Sequence, residues 1–199
     1  MGTGLRIIAG KAKGRNLRVP DTDKCRPTSD KVREAVFATL KPFLKPETLF
    51  LDLFAGSGAM GLEAASRGVG AVTLVDTVTY SIEENVERLG LKAICHIWRG
   101  DALRYLAQNR KQAFDVIVMD PPYAKTVLLE TCLKEVVRFS LLREGGLIVV
   151  EHAAASKLTL PQELACIRSK AYGDTRVGYV GWLAYNPFEI RRFTAEQFT

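Results

Sequence analysis

The sequence predicts an α/β protein, a mostly parallel sheet with helices on both faces. Three observations carry that expectation. Short apolar runs at 48–54, 71–76, 93–98, 114–119 and 146–151 alternate with segments of helical period, the pattern of repeated strand–helix–strand units. Several of these runs are apolar throughout, as strands buried on both faces must be. The first run passes into a glycine-rich loop that opens a helix, LFLDLFAGSGAMGLEAA at 49–65, and such joins are where open α/β sheets bind ligands.

The elements follow in order. Residues 5–20, LRIIAGKAKGRNLRVP, read as two short strands around glycine-containing turns, a basic β-hairpin extension within residues 1–25. Helical period begins in RPTSDKVREAVFATL (26–40), where Val32, Ala35, Val36 and Leu40 share a face and Thr28 or Ser29 can cap the start. Pro42 and Pro46 end it. Helices are then expected at about 59–67, 79–89, 101–110 and 127–141, each after a strand. Segments near 164–172 and 177–185 can pair antiparallel across Gly173–Asp174. One domain over 26–186 results, followed by a tail, 187–199, with no assigned role.

A chain of 199 residues, 47% hydrophobic and 25% charged, has the composition of an ordinary globular domain. No apolar run approaches the roughly 20 residues of a membrane-spanning helix, and the N-terminus is basic and broken by glycines, so a cytoplasmic, membrane-free protein is expected. Cys25, Cys95, Cys132 and Cys166 are scattered without a CxxC, which argues for reduced thiols and against a metal. The net charge of +6 is concentrated: residues 1–45 carry +7 and the remainder −1. A basic segment on a neutral body suits a polyanion such as nucleic acid, with Arg6, Lys11, Lys13, Arg15 and Arg18 as candidate contacts. A solvated terminus that binds nothing has the same charge.

Gly56, Gly58 and Gly61 satisfy G-x-G-x-x-G, and Asp76 ends the next strand 20 residues after Gly56. That spacing also serves nicotinamide enzymes, in which the acid binds a ribose. Asp52 separates the two cofactor types. A carboxylate just ahead of the loop, in apolar sequence, would repel a pyrophosphate but attract an ammonium group. S-adenosylmethionine has an α-ammonium, a ribose and no phosphate. Asp101, with Ala102, follows the third strand and can read an adenine amine, cap a helix, or do both.

The fourth strand ends in VIVMDPPYAK, 116–125. An exocyclic amine on a nucleobase is a poor nucleophile because its lone pair is delocalised into the ring. If Asp120 and the Pro121 carbonyl accept its two hydrogens, the nitrogen is drawn toward tetrahedral geometry and its lone pair is freed. Pro121 and Pro122 fix the backbone, and Tyr123 offers a face to a base removed from its stack.

FAGSG with a preceding acid, together with DPPY, resembles the class I S-adenosylmethionine-dependent methyltransferases that modify exocyclic amines. RIIAGKAKGRNL, RPTSDKVREAVF, LDLFAGSGAMGLEAASRG and VIVMDPPY taken together resemble the bacterial 16S ribosomal RNA guanine-N2 methyltransferases (RsmD-like), over residues 5–185. The resemblance implies a Rossmann-like, seven-stranded sheet of order 3-2-1-4-5-7-6 with the last strand antiparallel. It implies that Arg26 and Thr28 serve the methionine end of the cofactor and that Phe54, Ala55, Gly56 and Gly58 form its loop. The implied product is N2-methylguanosine at one guanine of small-subunit ribosomal RNA, made on an assembled or assembling particle; a monomer is expected. TVTYS after Asp76 departs from the more usual charged or polar continuation. DNA amino-methyltransferases share DPPY but need a target-recognition region, and no gap between strands here exceeds one helix. Protein-glutamine methyltransferases would carry Asn at Asp120, and an oxidoreductase leaves Asp52 and the proline corner unexplained. A non-catalytic RNA-binding protein with a degenerate pocket would not need the intact acids and glycines.

Overall fold

The computed structural model describes residues 4–20, 29–121 and 126–184. Helix α1 (Asp30–Leu40) starts at Ser29, whose hydroxyl accepts the Val32 N–H at 3.4 Å; the other capping candidate, Thr28, lies outside the described residues. A 3₁₀ turn at Lys41–Phe43 carries Pro42 and closes the helix. The alternation then runs β1 (Leu49–Asp52), α2 (Ala59–Ser66), β2 (Ala71–Asp76), α3 (Tyr80–Leu89), β3 (Cys95–Arg99), α4 (Ala102–Gln108), β4 (Phe114–Met119), α5 (Thr126–Arg138) and β5 (Leu142–Ala153). A hairpin of β6 (Leu164–Tyr172) and β7 (Thr175–Trp182) completes it.

The seven strands form one sheet of order β3-β2-β1-β4-β5-β7-β6. Strands β1 to β5 pair parallel, and β7 is antiparallel to both β5 and β6. This is the Rossmann-like arrangement of class I methyltransferases. Neighbouring residues of each strand feed opposite cores, as the two-residue period of a strand requires. Phe50, Val116, Val118, Leu147 and Val149 pack with α1, α2 and α3. Leu51, Ile117, Met119, Ile148 and Val150 pack with α4 and α5. Strand β5 is longer than its apolar run at 146–151. Leu142 pairs with Phe114 ahead of the run, and the register shifts between Phe114 and Val116.

The N-terminal segment doubles back on itself, Ile7 N–H donating to Arg15 C=O at 3.0 Å and Leu17 N–H to Leu5 C=O at 2.8 Å. It is seated rather than free, because Ile7, Ala12 and Leu17 are buried in the core shared with α1 to α3. Two polar residues of α2 hold its backbone. The carboxylate of Glu63, itself fully buried, accepts Ile8 N–H at 2.7 Å and Ala9 N–H at 3.0 Å. Ser66 Oγ accepts Ala12 N–H at 2.9 Å and donates to Ala9 C=O at 2.6 Å. Gly10 makes the approach possible: its φ is +84°, and a Cβ there would stand 1.9 Å from the Ser66 carbonyl oxygen.

Candidate active site

The carboxyl ends of β1, β2 and β4 lie side by side, Asp52 being in register with Leu74 on one side and Val118 on the other. The chain leaving β1 is stitched to both neighbours. Leu53 N–H donates to Val118 C=O at 3.0 Å, and Ala55 N–H to Val75 C=O at 3.0 Å. Gly58 then turns the chain into α2 with φ +82°, where a side chain would press on Leu62 and be strained in any case. Phe54 is half-buried, Ala55 is buried, and Gly56 and Gly58 lie in the same turn, so the proposed cofactor loop is one contiguous surface over the rim.

Each acid has a defined place. Asp52 is buried, and its Oδ2 accepts Gly61 N–H at 2.8 Å, tying the strand end to the first turn of α2. Asp76 accepts Gly56 N–H at 2.8 Å on Oδ2 and Val78 N–H at 3.0 Å on Oδ1, so the same carboxylate that can take a ribose also holds the loop. Asp101 caps α4 by accepting Arg104 N–H at 3.1 Å, with Ala102 buried behind it. Gly100 N–H donates to Asp76 C=O at 2.9 Å, joining the carboxyl ends of β2 and β3. Asp120, half-buried, and Pro121, buried, follow directly on β4. Arg26, Thr28, Pro122 and Tyr123 lie outside the described residues.

Asp52, Asp76 and Asp120 therefore crowd three adjacent strand ends. Burial pushes the Asp52 carboxyl up to about 7. The Gly61 N–H opposes this, and the charges of Asp120 and Asp76 add to it. A rim with three acids rejects phosphates and welcomes a cation. S-adenosylmethionine, with its sulfonium and α-ammonium, fits this donor set; a dinucleotide does not.

Three buried polar residues that the sequence patterns did not single out hold the N-terminal segment, and one of them also holds the glycine loop. Glu63 and Ser66 hold the N-terminal segment. Asn85 on α3, fully buried, accepts Arg18 N–H at 2.7 Å, donates to Arg18 C=O at 2.8 Å and donates to Ser57 C=O of the glycine loop at 2.9 Å. Polar residues on otherwise apolar helix faces were the available signal. Of the basic candidates, Arg6 pairs with Asp30 at 3.3 Å, Arg18 pairs with Glu84, and Arg15 donates to the Arg88 carbonyl. Lys11 and Lys13 are exposed at the turn beside Ser66. Trp98 packs edge-on to Tyr105 at 5.4 Å, as a packing residue should. Tyr80 is 42% exposed with the Arg18 guanidinium 5.8 Å from its ring centre.

A Rossmann-like sheet, a glycine loop anchored by two acids and an acid–proline corner on the neighbouring strand define an S-adenosylmethionine-dependent methyltransferase of class I. The chain belongs to the family described as Conserved hypothetical protein 95, whose pattern matches residues 5–181. It is 36% identical over 181 residues to YlbH of Bacillus subtilis (strain 168), covering 87% of this chain and 96% of that protein. It is also 36% identical over 179 residues to Ribosomal RNA small subunit methyltransferase D of Escherichia coli (strain K12), covering 85% and 86%. The solved structure of yhhF from Escherichia coli superposes with a TM-score of 0.80 at 30% identity, covering 88% of this chain and 96% of that one.

Proposed function

We propose that the protein transfers a methyl group from S-adenosylmethionine to the exocyclic N2 amine of a guanine in small-subunit ribosomal RNA. The observation that carries the chemistry is the placement of Asp120–Pro121 at the end of β4, directly beside the acid-anchored glycine loop at the end of β1. The choice of RNA is supported by the named activity of the Escherichia coli relative and by the basic N-terminal segment.

When bound, S-adenosylmethionine supplies a methyl group on a cationic sulfur. Asp76 receives the ribose hydroxyls, Asp101 and Ala102 the adenine, and Asp52 with Phe54 to Gly58 the amino-acid end, where Arg26 and Thr28 join by resemblance. Asp120 and the Pro121 carbonyl accept the two N–H groups of the guanine amine and aim its lone pair. Pro121 has a fixed φ and precedes a second proline, which confines its ψ to the extended region and so restricts the direction of its carbonyl. Asp120 takes the proton that the methylated nitrogen sheds. Tyr123 gives the extruded base a stacking face. Orientation of this kind accounts for up to ~7–11 kcal/mol of a barrier.

The protein is read as a cytoplasmic monomer acting on an assembled or assembling particle; among the described residues no helix is long and apolar enough to cross a membrane. Labelled cofactor and unmethylated small subunits, followed by nucleoside analysis, should yield N2-methylguanosine. N6-methyladenosine as the main product, or label only in DNA, would overturn the reading.

A further inference from the structure

On the α4–α5 side of the sheet, the connection from β5 to β6 is a helix-free segment, residues 154–163. It is pinned to α5 where Thr159 N–H donates to Glu130 at 2.8 Å. Between this segment and the strands lies a cleft of about 360 Å³, within the lower range of small-ligand sites, about 300–1,000 Å³. Buried Val150 and Val180 close its floor, half-buried Leu158 and Leu160 line it from the crossing segment, and its wall carries hydrogen-bond donors and no carboxylate. Arg176 lines it, donating one N–H to Ser169 Oγ at 3.2 Å. Lys157 lines it from the crossing segment. Neither cation has an acidic partner within ion-pair distance among the described residues.

The position of the cleft matters as much as its chemistry. Strands β4 and β5 pair up to Met119 and Val150, so Asp120–Pro121 continue from one strand while His152 continues from the other. His152 is in register with Arg176 on β7. The mouth of the cleft is therefore one strand away from the catalytic corner. It lies on the opposite face of the sheet from the N-terminal segment, which packs with α1 to α3. A strand of RNA whose guanine enters the corner can lay a neighbouring nucleotide at this point.

We propose that the cleft is a subsite for a nucleotide flanking the methylated guanine, its phosphodiester on Arg176 and Lys157 and its base or ribose against Leu158 and Leu160 of the crossing segment. The proposal rests on the RNA reading above and names where that RNA continues.

The double variant Lys157→Gln/Arg176→Gln should raise KM for unmethylated subunits about tenfold, as loss of two charge-assisted contacts does. The single-turnover rate at saturating RNA should fall much less. The log–log salt slope should become shallower by about 1.4, at roughly 0.7 per contact to a single strand. Lys111→Gln, an exposed cation outside the cleft, serves as the control for bulk charge. Equal KM and slope in the double variant and the control would overturn the subsite. A second measurement needs no variant. Cys166 is exposed and lines the cleft, whereas Cys95 and Cys132 are buried; burial raises all three thiols, that of Cys95 and of Cys132 up to about 12. Alkylation of Cys166 by N-ethylmaleimide, followed by peptide mapping, should be slowed by RNA spanning the target and not by guanosine monophosphate or inorganic phosphate. Equal protection by the mononucleotide, or none by RNA, would overturn it. If wild-type protein methylates no RNA at all, it is the proposed function that has failed, and the two outcomes are separable.

Discussion

Helix α2 joins two polar regions that treat their charges in opposite ways. Past its C-terminal half, Glu63 and Ser66 spend their acceptors on the N-terminal backbone, and Arg67 closes on Glu63 at 2.7 Å. Each group there is matched by an opposite or complementary one. At its N-terminal end, Asp52, Asp76 and Asp120 are gathered with like charge beside like charge, so that Asp52 is pushed up to about 7. A matched buried network stabilises a fold, whereas a mismatched one waits for a ligand. The contrast teaches that one eight-residue helix separates a structural joint from a chemical one, and it divides the variants into two classes.

The largest effect should come from the side where the acids crowd together. Asp120→Ala removes the acceptor proposed to aim the amine, and the single-turnover rate should drop on the order of 10²–10³-fold, as when one preorganised polar contact is removed elsewhere. Cofactor affinity by calorimetry should stay within about twofold, and the melting temperature should not fall. Wild-type turnover at saturating substrate would break the catalytic half of the comparison. The matched side answers differently. Glu63→Ala leaves Ile8 and Ala9 N–H and Arg67 without their acceptor, which should cost about 3 kcal/mol of stability in a urea titration. At a temperature where the variant remains folded, cofactor affinity should be close to wild type. A variant with intact stability and lost cofactor binding would move Glu63 into the chemical class.

Asp52 sharpens the contrast because its state depends on pH. Its folded pKa stands above the ordinary carboxylate value, so ionising it opposes folding. This group's stability contribution declines from about pH 4 to about pH 7 and is level above that. A cationic ligand prefers the ionised form. Cofactor affinity should therefore rise about tenfold between about pH 6 and about pH 8, at up to one decade per unit below the pKa. Asp52→Asn keeps an acceptor for Gly61 but cannot ionise. It should bind more weakly, lose this pH dependence, and be at least as stable as wild type above about pH 7. A pH-dependent affinity that survives in Asp52→Asn would assign the titration to another group.

Much of this was legible in the sequence where the signal is local. The five parallel strands announced themselves as apolar runs, and Asp76 could be placed because it follows the glycine loop at a fixed spacing along the chain. Asp101 kept its capping role for the same reason: a cap bonds three residues ahead. The seating of the N-terminus was not legible. Ile8 and Ala9 meet Glu63 across more than 50 residues, and Arg18 meets Asn85 across 67. Helical period says which face is buried, not which polar group on it finds a distant partner. The basic residues at 6–18 were read as an arm by their charge, while the alternate residues Ile7 and Leu17, which bury that arm, are too few to register as a core strand.

The smallest effect tests whether the seated segment still offers its charges. Of its cations, Arg6 and Arg18 are paired with acids and Arg15 with a carbonyl, which leaves Lys11 and Lys13 facing outward from the turn at Ser66. That turn sits at the far end of α2 from the glycine loop, about 12 Å at 1.5 Å per residue over eight residues. On the RNA reading, Lys11 and Lys13 would meet RNA away from the target base and hold phosphates without reading sequence. Lys11→Gln/Lys13→Gln should make the log–log salt slope of RNA binding shallower by about 1.4–1.8, at roughly 0.7–0.9 per contact. Stability should change by no more than about 0.5 kcal/mol, since neither side chain is buried. Cofactor affinity should not move. Arg18→Gln makes the instructive partner: its backbone contacts to Asn85 remain, so any loss of RNA binding reports the side chain alone. If neither variant alters the salt slope while methylation proceeds at the wild-type rate, the segment is a structural joint and nothing more, and the RNA is held from the other face of the sheet.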